Sequence, residues 1–261
     1  MQVVDQVIRL VRQIAQTEVM PRFLLVLFSR KQDGTPFTEA DLASQAALSR
    51  TLPAILPCPV LGEEMNPAEQ QALWDQAWHD GIWVVDPIDG TTNFVHGGPR
   101  SAISLALYRN GEAQLGMVHD PYLKETFWAQ KGEGSWCGAL RLKVNPCERL
   151  KDALLTTGFA DEPAAQWEVC RLLQRESHGV RVSGCAALDL AYVACGRVDA
   201  FWEVDLKPWD VAAGILLVRE AGGVVSDLGG AEAVLDSGNY LATSEALQPE
   251  LLTALGRLTS S

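Results

Sequence analysis

The feature that most constrains the fold is a short apolar run that ends in carboxylates. Ile82-Trp83-Val84-Val85 is apolar throughout, and Asp86-Pro87-Ile88-Asp89-Gly90 follows it directly. An unbroken apolar run bounded by turn residues predicts a buried strand. Pro87 gives a strand ladder no N–H donor, so the strand is expected to run into a loop at Asp86-Pro87. Two acidic side chains therefore leave the end of a buried strand close together.

The chemistry of this loop suits a cation and an anion. Asp86 and Asp89 offer the hard oxygen ligands that Mg²⁺ takes together with water and substrate phosphate. Gly90 permits backbone conformations that other residues resist, and the Gly90-Thr91-Thr92 segment can present backbone N–H groups to an anion at a helix start. Ordinary turn chemistry is the alternative, because Asp-Pro and Asp-Gly are common turn dipeptides.

Three further acidic segments lie elsewhere in the chain. Thr38 and Asp41 have the spacing of a helix capping box, with the acid three residues after the cap. Glu63 and Glu64 could form a solvated surface pair, and Asp210 could simply favour a helix N-terminus. Each explanation is plausible for one segment alone. The joint order of all four acidic segments is harder to explain in this way.

Periodicity predicts helices at 3–14, from 38 to about 49 and from 67 to about 79, followed by strands at 101–108, 113–118 and 125–129. The second half alternates helices at 163–174, 186–195, 209–221 and from 249 with short strands at 199–203, 224–226 and 240–243. We therefore expect an N-terminal α+β subdomain (1–148) with a mostly antiparallel sheet and a smaller C-terminal α/β subdomain (149–261). The two are expected to share one cleft and act as one unit.

Charge and cysteine usage exclude several function classes. The 261 residues include 33 acidic and 21 basic ones, a net charge of −12, which argues against binding to a nucleic-acid backbone. An acidic protein with an anionic substrate needs a local source of positive charge, and a bound metal is the simplest one. No apolar run reaches the length of a membrane span. The six cysteines form no CxxC pair, which favours reduced thiols and a cytoplasmic protein.

The acidic segments also carry a family resemblance. The ordered motifs DGTPFTEAD, GEE, WVVDPIDGTTNFVHG and KPWDVAAG resemble the inositol monophosphatase family, a group of lithium-sensitive, metal-dependent phosphatases. The resemblance covers nearly the whole chain and implies a layered sugar-phosphatase fold, an αβαβα sandwich, in a homodimer. It implies Mg²⁺-dependent hydrolysis of a small phosphate monoester by metal-activated water, with two or three ions per site. Myo-inositol monophosphate or a related sugar or polyol phosphate is the expected substrate.

The resemblance also implies roles for individual residues. The implied metal ligands are Glu63, Asp86, the backbone carbonyl of Ile88, Asp89 and Asp210. The implied catalytic residues are Asp41 and Thr91, which would orient and activate water, and Glu63. The implied substrate contacts are Gly90, Thr91, Gly184, Cys185, Ala186 and Glu203. Glu64 is expected to be a solvated neighbour of the ligands.

Two departures from the family pattern leave the substrate open. Cys185 stands where the family often has Thr or Ser, and Phe159-Ala160 replaces a polar contact of some members. A 3′-phosphoadenosine 5′-phosphate phosphatase is the nearest alternative, because residues 31–36 resemble that branch, although Asn93 and Glu203 suit a polyol better. Fructose-1,6-bisphosphate and histidinol phosphate are further substrate alternatives. A non-enzymatic role as a binding partner of the transcription machinery is the alternative from another class.

Overall fold

The computed structural model describes residues 2–25, 27–31, 34–77, 79–158 and 163–256. Gln32 and Asp33 of the predicted turn, and Phe159 and Ala160, lie outside the described residues. The helices are α1 (Gln2–Ile14), α2 (Glu39–Ile55), α3 (Pro67–Ala77), α4 (Thr91–Val95), α5 (Pro163–Glu176), α6 (Ala186–Ala194), α7 (Pro208–Glu220) and α8 (Gln248–Leu255).

The strands of the first sheet are β3 (Val60–Gly62), β4 (Ile82–Asp89), β5 (Ala102–Arg109), β6 (Glu112–Asp120), β7 (Glu125–Gln130), β8 (Gly134–Cys137) and β9 (Leu140–Arg141). They lie side by side in chain order, and only the β3–β4 pair is parallel. A separate antiparallel hairpin precedes them, formed by β1 (Phe28–Arg30) and β2 (Pro36–Thr38). The mostly antiparallel sheet is therefore confirmed.

The second sheet is smaller and mixed. Its strands are β10 (Leu154–Thr157), β11 (Gly179–Val182), β12 (Ala200–Glu203), β13 (Val224–Ser226) and β14 (Tyr240–Thr243). They are ordered β11-β10-β12-β14-β13, with β10 parallel to both of its neighbours and β14 antiparallel to both of its own.

Alternation along the strands explains the layers. In β4, Trp83 and Val85 pack with α1 and α2, whereas Ile82 and Val84 pack with α6 and α7. The apolar run is continuous because both faces of the strand are covered. Helices α6 and α7 also pack against one face of the second sheet, and α5 and α8 cover its other face. The order helix, sheet, helix, sheet, helix is the predicted αβαβα sandwich.

The division into subdomains at residue 148 stays a proposal. The chain leaves the first sheet at Arg141 and enters the second at Leu154. Helices α6 and α7 belong by sequence to the C-terminal half, yet the same apolar cluster joins them to both sheets. Any boundary must therefore pass through a shared core.

Two predicted boundaries were wrong. Strand β4 does not stop at Val85 but continues through Pro87 to Asp89. Its pairing with β5 shifts register between Asp86 and Asp89, so Pro87 lies in a bulge where the ladder needs no N–H from it. Helix α2 runs to Ile55 rather than Ser49, although Pro53 in its last turn has no N–H to donate to the Ser49 carbonyl. Among the described residues, no helix is both long and apolar enough to cross a bilayer.

A buried polar group connects α1 to the sheet. Arg12 Nε of α1 donates to Thr126 Oγ1 of β7 at 3.0 Å, and the same hydroxyl lies 3.0 Å from His119 Nδ1 of β6. Burial, with the positive charge of Arg12 adding to it, lowers the pKa of His119 from 6.5 to about 4. The folded chain therefore holds a neutral imidazole at pH values where the unfolded chain would protonate it.

This arrangement predicts a pH-dependent stability difference between wild type and His119→Asn. The unfolded imidazole takes up its proton near pH 6.5 and the folded one only near 4, so the contribution of His119 falls as pH drops through that window, by up to about 3 kcal/mol. In urea unfolding, the excess stability of wild type over the variant should shrink between pH 7.5 and pH 4.5. The exposed His178→Asn is the control, and a difference that does not change with pH would contradict the prediction.

Candidate active site

The ends of two neighbouring parallel strands bring the first acids together. Glu63 follows β3 directly, and its backbone N–H donates to the carbonyl of Val85 at 3.2 Å, so it lies beside Asp86. On the other side of Asp86, its partner in β5 is Ser104, whose hydroxyl donates to the carbonyl of Trp209 at 3.5 Å. That contact places the first turn of α7, which contains Asp210, against the same strand end.

Asp41 fulfils both of the roles considered for it. One of its oxygens, Oδ2, accepts from the Thr38 N–H at 2.7 Å and from the Thr38 hydroxyl at 2.5 Å, which completes the capping box of α2. The other oxygen, Oδ1, accepts from the hydroxyl of Thr91 at 3.2 Å. The cap therefore fixes a fully buried carboxylate against the start of α4.

The bulge at the end of β4 orients its own acids. Oδ1 of Asp86 accepts from the Ile88 N–H at 2.9 Å, and the hydroxyl of Thr91 also lies 3.0 Å from the Ile88 carbonyl. Oδ2 of Asp89 accepts from the Ala187 N–H at 2.7 Å and from the Cys185 thiol at 3.0 Å. Asp89 thus receives one backbone N–H from the first turn of α6, where a helix favours negative charge.

Gly90 is the hinge between β4 and α4, and its conformation is left-handed, with φ of 84°. A Cβ at this position would lie 2.8 Å from the carbonyl oxygen of Arg100 and 3.0 Å from that of Gly184. The side chain of Asn93 donates to the carbonyls of Arg100 and Ser183 at 2.9 Å each. The glycine and the asparagine together draw the loop before α6 onto the start of α4.

The electrostatics of this region reflect crowded acids. Burial raises the pKa of Asp86 well above its usual range, and the charges of Glu63, Asp89 and Asp210 raise it further. Burial also raises the pKa of Asp89 to about 6, against the lowering effect of its hydrogen bonds from Cys185 and Ala187. The pKa of Asp210 is also raised well above its usual range, by burial and then by the charges of Asp89 and Glu63. These carboxyl groups are close enough to repel one another.

The implied ligands are nevertheless not arranged around one point. Within the described part of the chain, no three carboxylate, thiol or imidazole groups could hold one metal ion as they stand. Glu63 Oε1 pairs with Lys31 Nζ at 2.6 Å, and Asp210 Oδ2 accepts from the Lys207 N–H at 2.7 Å. The donors are all oxygens, which suits a hard divalent cation, and their mutual repulsion is what such a cation would relieve.

The expectation that Glu64 is solvated was wrong. Its side chain is 6% exposed, and Oε1 lies 2.7 Å from Lys31 Nζ. Burial raises the pKa of Glu64 to about 7, although Lys31 lowers it. Lys31 therefore contacts both glutamates and is the positive charge that they share in this structure. The position of Lys31 in the turn after β1 did not predict its contact with the two glutamates.

The remaining implied site residues come from the second sheet and α6. Glu203 ends β12 and is buried, its pKa is raised well above the usual range by burial and then by Asp189, and its Oε2 has no partner among the described residues. Gly158 faces it so closely that a Cβ there would lie 2.0 Å from Glu203 Oε1. Gly184, Cys185 and Ala186 form the start of α6 beside Asp89.

A buried ion pair beside these residues was not predicted from the sequence. Asp189 is fully buried in α6 and pairs with the guanidinium of Arg100 and with the hydroxyl of Ser183. Arg100 also lies 5.1 Å above the ring of Tyr192. An aspartate inside the otherwise apolar run of α6 was an available signal, because a buried charge needs a partner.

The chain matches known proteins along its whole length. Residues 1–260 match the inositol monophosphatase family. The inositol-1-monophosphatase of Mesorhizobium japonicum is 43% identical over 183 residues, 69% of either chain. The Nus factor SuhB of Pseudomonas aeruginosa is 40% identical over 225 residues, 84% of this chain and 82% of the relative. The solved IMPase of Thermotoga maritima has a TM-score of 0.90 at 32% identity and covers 100% of this chain and 99% of its own.

The geometry at Gly90 predicts a large loss of stability for Gly90→Ala. Gly138→Ala is the matched control, because Gly138 is also left-handed but has open space around it. The control should lose about 1 kcal/mol from backbone strain alone. Gly90→Ala should lose at least about 2 kcal/mol more in urea unfolding, since its methyl group meets two carbonyl oxygens. Equal losses of unfolding free energy in the two variants would show that the contact of residue 90 with the two carbonyl oxygens does not affect stability.

Proposed function

This chain belongs to the inositol monophosphatase family, and from that premise we propose that it hydrolyses an inositol, sugar or polyol monophosphate with Mg²⁺. The protein is a phosphatase by family membership. The observation that carries the finer proposal is the convergence of Asp41, Glu63, Asp86, Asp89 and Asp210 at the ends of β3 and β4, beside the starts of α2, α4, α6 and α7. In the reaction, a water oxygen bonds to phosphorus, the ester P–O bond breaks and the released alcohol takes a proton.

The family is metal-dependent, and the residues here fit a hard cation by their donor chemistry. The proposed ligands are Glu63, Asp86, the Ile88 carbonyl, Asp89 and Asp210, which would hold two or three ions. Bound Mg²⁺ would supply the positive charge that an anionic phosphate and a developing alkoxide need. The chain's own side chains supply little of it there, since Lys31 is engaged by two glutamates.

Asp41 and Thr91 are the proposed water-positioning pair. Two hydrogen bonds from Thr38 fix the carboxylate of Asp41. The remaining lone pair on Oδ1 therefore points in one fixed direction. The hydroxyl of Thr91 is shared between Asp41 and the Ile88 carbonyl, which holds it at the strand end where the acids meet. The backbone N–H groups of Gly90 and Thr91, at the start of α4, are the proposed contacts to phosphate.

Glu203 is the proposed contact to substrate hydroxyls. It is buried and keeps one oxygen without a protein partner in the described part of the chain, so a hydroxyl donor would satisfy it. The thiol of Cys185 is already donated to Asp89. Any ring contact from 184–186 is therefore expected from backbone groups and from the Cys185 and Ala186 side-chain surfaces rather than from that thiol.

A second candidate function is binding to transcription machinery, which is favoured by the similarity to a protein called a Nus factor. That role needs a surface and no turnover, so it can coexist with hydrolysis. A homodimer and a cytoplasmic location also stay predictions of the family resemblance and of the cysteine usage.

The proposed metal site predicts that Asp89→Asn loses most turnover but stays folded. Asparagine can still accept from Ala187 and Cys185 through its carbonyl oxygen, so Tm should change little, whereas one ligand charge is lost. Since loss of a ligand's supporting partner costs 10–100-fold, loss of the ligand itself should lower kcat/KM by at least about a hundredfold. Phosphate release with and without Mg²⁺ measures this, with the exposed Asp75→Asn as control.

Near-normal activity of Asp89→Asn at moderate Mg²⁺ would refute the ligand assignment. A partner recovered equally by wild type and Asp89→Asn in a pull-down would show that the protein-binding role is separate from the site.

The proposed substrate class predicts an ordered response across phosphate esters. Inositol and related polyol monophosphates should give higher kcat/KM than fructose-1,6-bisphosphate, histidinol phosphate or 3′-phosphoadenosine 5′-phosphate, and Li⁺ should inhibit all of them. Glu203→Gln should lower kcat/KM about tenfold for polyol phosphates, because one of the two carboxyl oxygens that can accept from substrate hydroxyls becomes an NH₂ donor. It should hardly affect an aryl phosphate that has no hydroxyl groups. A uniform loss across substrates would remove Glu203 from substrate selection.

A further inference from the structure

One buried side chain near the site, that of Gln45, belongs neither to the proposed cation ligands nor to the proposed substrate contacts. Gln45 lies on α2 four residues after Asp41, and Ser44 lies three residues after it, so all three point to one side of the helix. Ser44 donates to the carbonyl of Pro87 at 3.1 Å, which shows that this side faces the end of β4. Gln45 is 8% exposed, and its carboxamide is therefore almost completely removed from solvent.

The carboxamide lies against the residue that precedes Glu63. A Cβ on Gly62 would fall 1.7 Å from Gln45 Nε2 and 2.2 Å from Oε1, so only glycine leaves room for this side chain. The main chain here is held independently, since Gln70 Nε2 lies 2.8 Å from the Gly62 carbonyl and 3.2 Å from that of Glu63. Gln45 is not needed to fix the backbone.

Neither polar atom of the Gln45 carboxamide has a hydrogen-bond partner among the residues that the structure describes. An unpaired amide in the interior is unfavourable, and an apolar side chain of the same length would avoid that cost. Buried polar groups that lower stability in this way are characteristic of sites that bind something. The groups around it are Asp41, one helical turn away, and the Glu63–Glu64 pair beyond Gly62.

We propose that Gln45 is a positioning residue for the hydrolysis: its carboxamide hydrogen-bonds to water carried by the cation at Glu63 and so fixes that cation relative to Asp41. The inference rests on the proposed function. Mg²⁺ keeps several of its waters when it binds to protein carboxylates, and those waters need acceptors and donors around them. A neutral amide can offer both without adding another negative charge to the acids already crowded here.

The test compares Gln45→Met with wild type. Methionine keeps the length of the side chain but removes both polar atoms, so without Mg²⁺ the Tm should stay the same or rise. The Mg²⁺ concentration that gives half of the maximal Mg²⁺-induced rise in Tm should increase about tenfold, as for a lost hydrogen bond to a charged group. The Mg²⁺ concentration for half-maximal phosphate release should shift in parallel.

Two further variants complete the design. Ser135→Ala is the matched control. Like Gln45→Met it removes a buried polar group without a partner, here a hydroxyl, but Ser135 lies on β8, four strands away from β4. It should leave the Mg²⁺ response unchanged. Gln45→Glu keeps a polar group that can bind water but adds a negative charge to the crowded acids. Its Tm without Mg²⁺ should therefore fall, whereas its Mg²⁺ midpoint should stay closer to wild type than that of Gln45→Met.

An unchanged Mg²⁺ midpoint in Gln45→Met, with a wild type that responds to Mg²⁺, would overturn this inference alone. A wild type whose Tm and hydrolysis are both indifferent to Mg²⁺ would instead overturn the proposed function. Should Gln45→Met not fold, Gln45→Ala carries the same expected shift of the Mg²⁺ midpoint, because it deletes the carboxamide without placing a thioether against Gly62. Its Tm without Mg²⁺ should fall, since the shorter side chain leaves a cavity.

Discussion

The site depends on one electrostatic constraint, the burial of several carboxylates within reach of one another. Asp86 and Asp89 are buried at the end of a strand that has apolar layers on both faces. The chain offsets part of this cost with backbone N–H groups, from Ile88 to Asp86 and from Ala187 to Asp89. These donors do not restore the usual acidity, because the pKa of each group remains raised. Protonation, or a positive charge from outside the chain such as the proposed Mg²⁺, would relieve the repulsion between these groups.

The shared helical layer is what brings acids from both halves of the chain together. Helix α7 lies so close to the first sheet that a Cβ on Gly116 would be 2.8 Å from the carbonyl of Ala213. It is equally close to α6, where a Cβ on Gly214 would meet Leu190 at 2.3 Å. Small residues on two sides therefore let α7 pack between a strand and a helix, and its first turn then carries Asp210 to the end of β4. A larger residue at either glycine would move an acid as well as disturb the core.

The sequence predicted the parts of the site whose local pattern has a direct physical meaning. An apolar run before Asp86 gave the strand, and Thr38 with Asp41 gave the helix start. The bulge that carries β4 past Pro87 was not predictable, because it depends on pairing with Ser104 and Ala102 far along the chain. The ion pair of Lys31 with Glu63 depends on how a hairpin folds over β3, and the sequence contains no local sign of that approach. Long-range pairing decided the bulge and the Lys31 contact, whereas Asp189 within the apolar run of α6 was a local sign of the missed ion pair with Arg100.

Three of the proposed cation ligands and the proposed substrate contact Glu203 lie on different sheets. Glu63, Asp86 and Asp89 lie at the end of the first sheet, whereas Glu203 ends a strand of the second. Changes in the second sheet would therefore alter which alcohol is accepted without disturbing the acids. Changes in the α6 loop are the exception, because Cys185 in this loop donates to Asp89. Position 185 therefore differs from the other proposed substrate contacts. A hydroxyl is a stronger donor than a thiol, so the residue at 185 influences the pKa of Asp89 in addition to its proposed contact with the substrate. Substrate choice and cation affinity are thus expected to vary together at position 185 and separately at position 203.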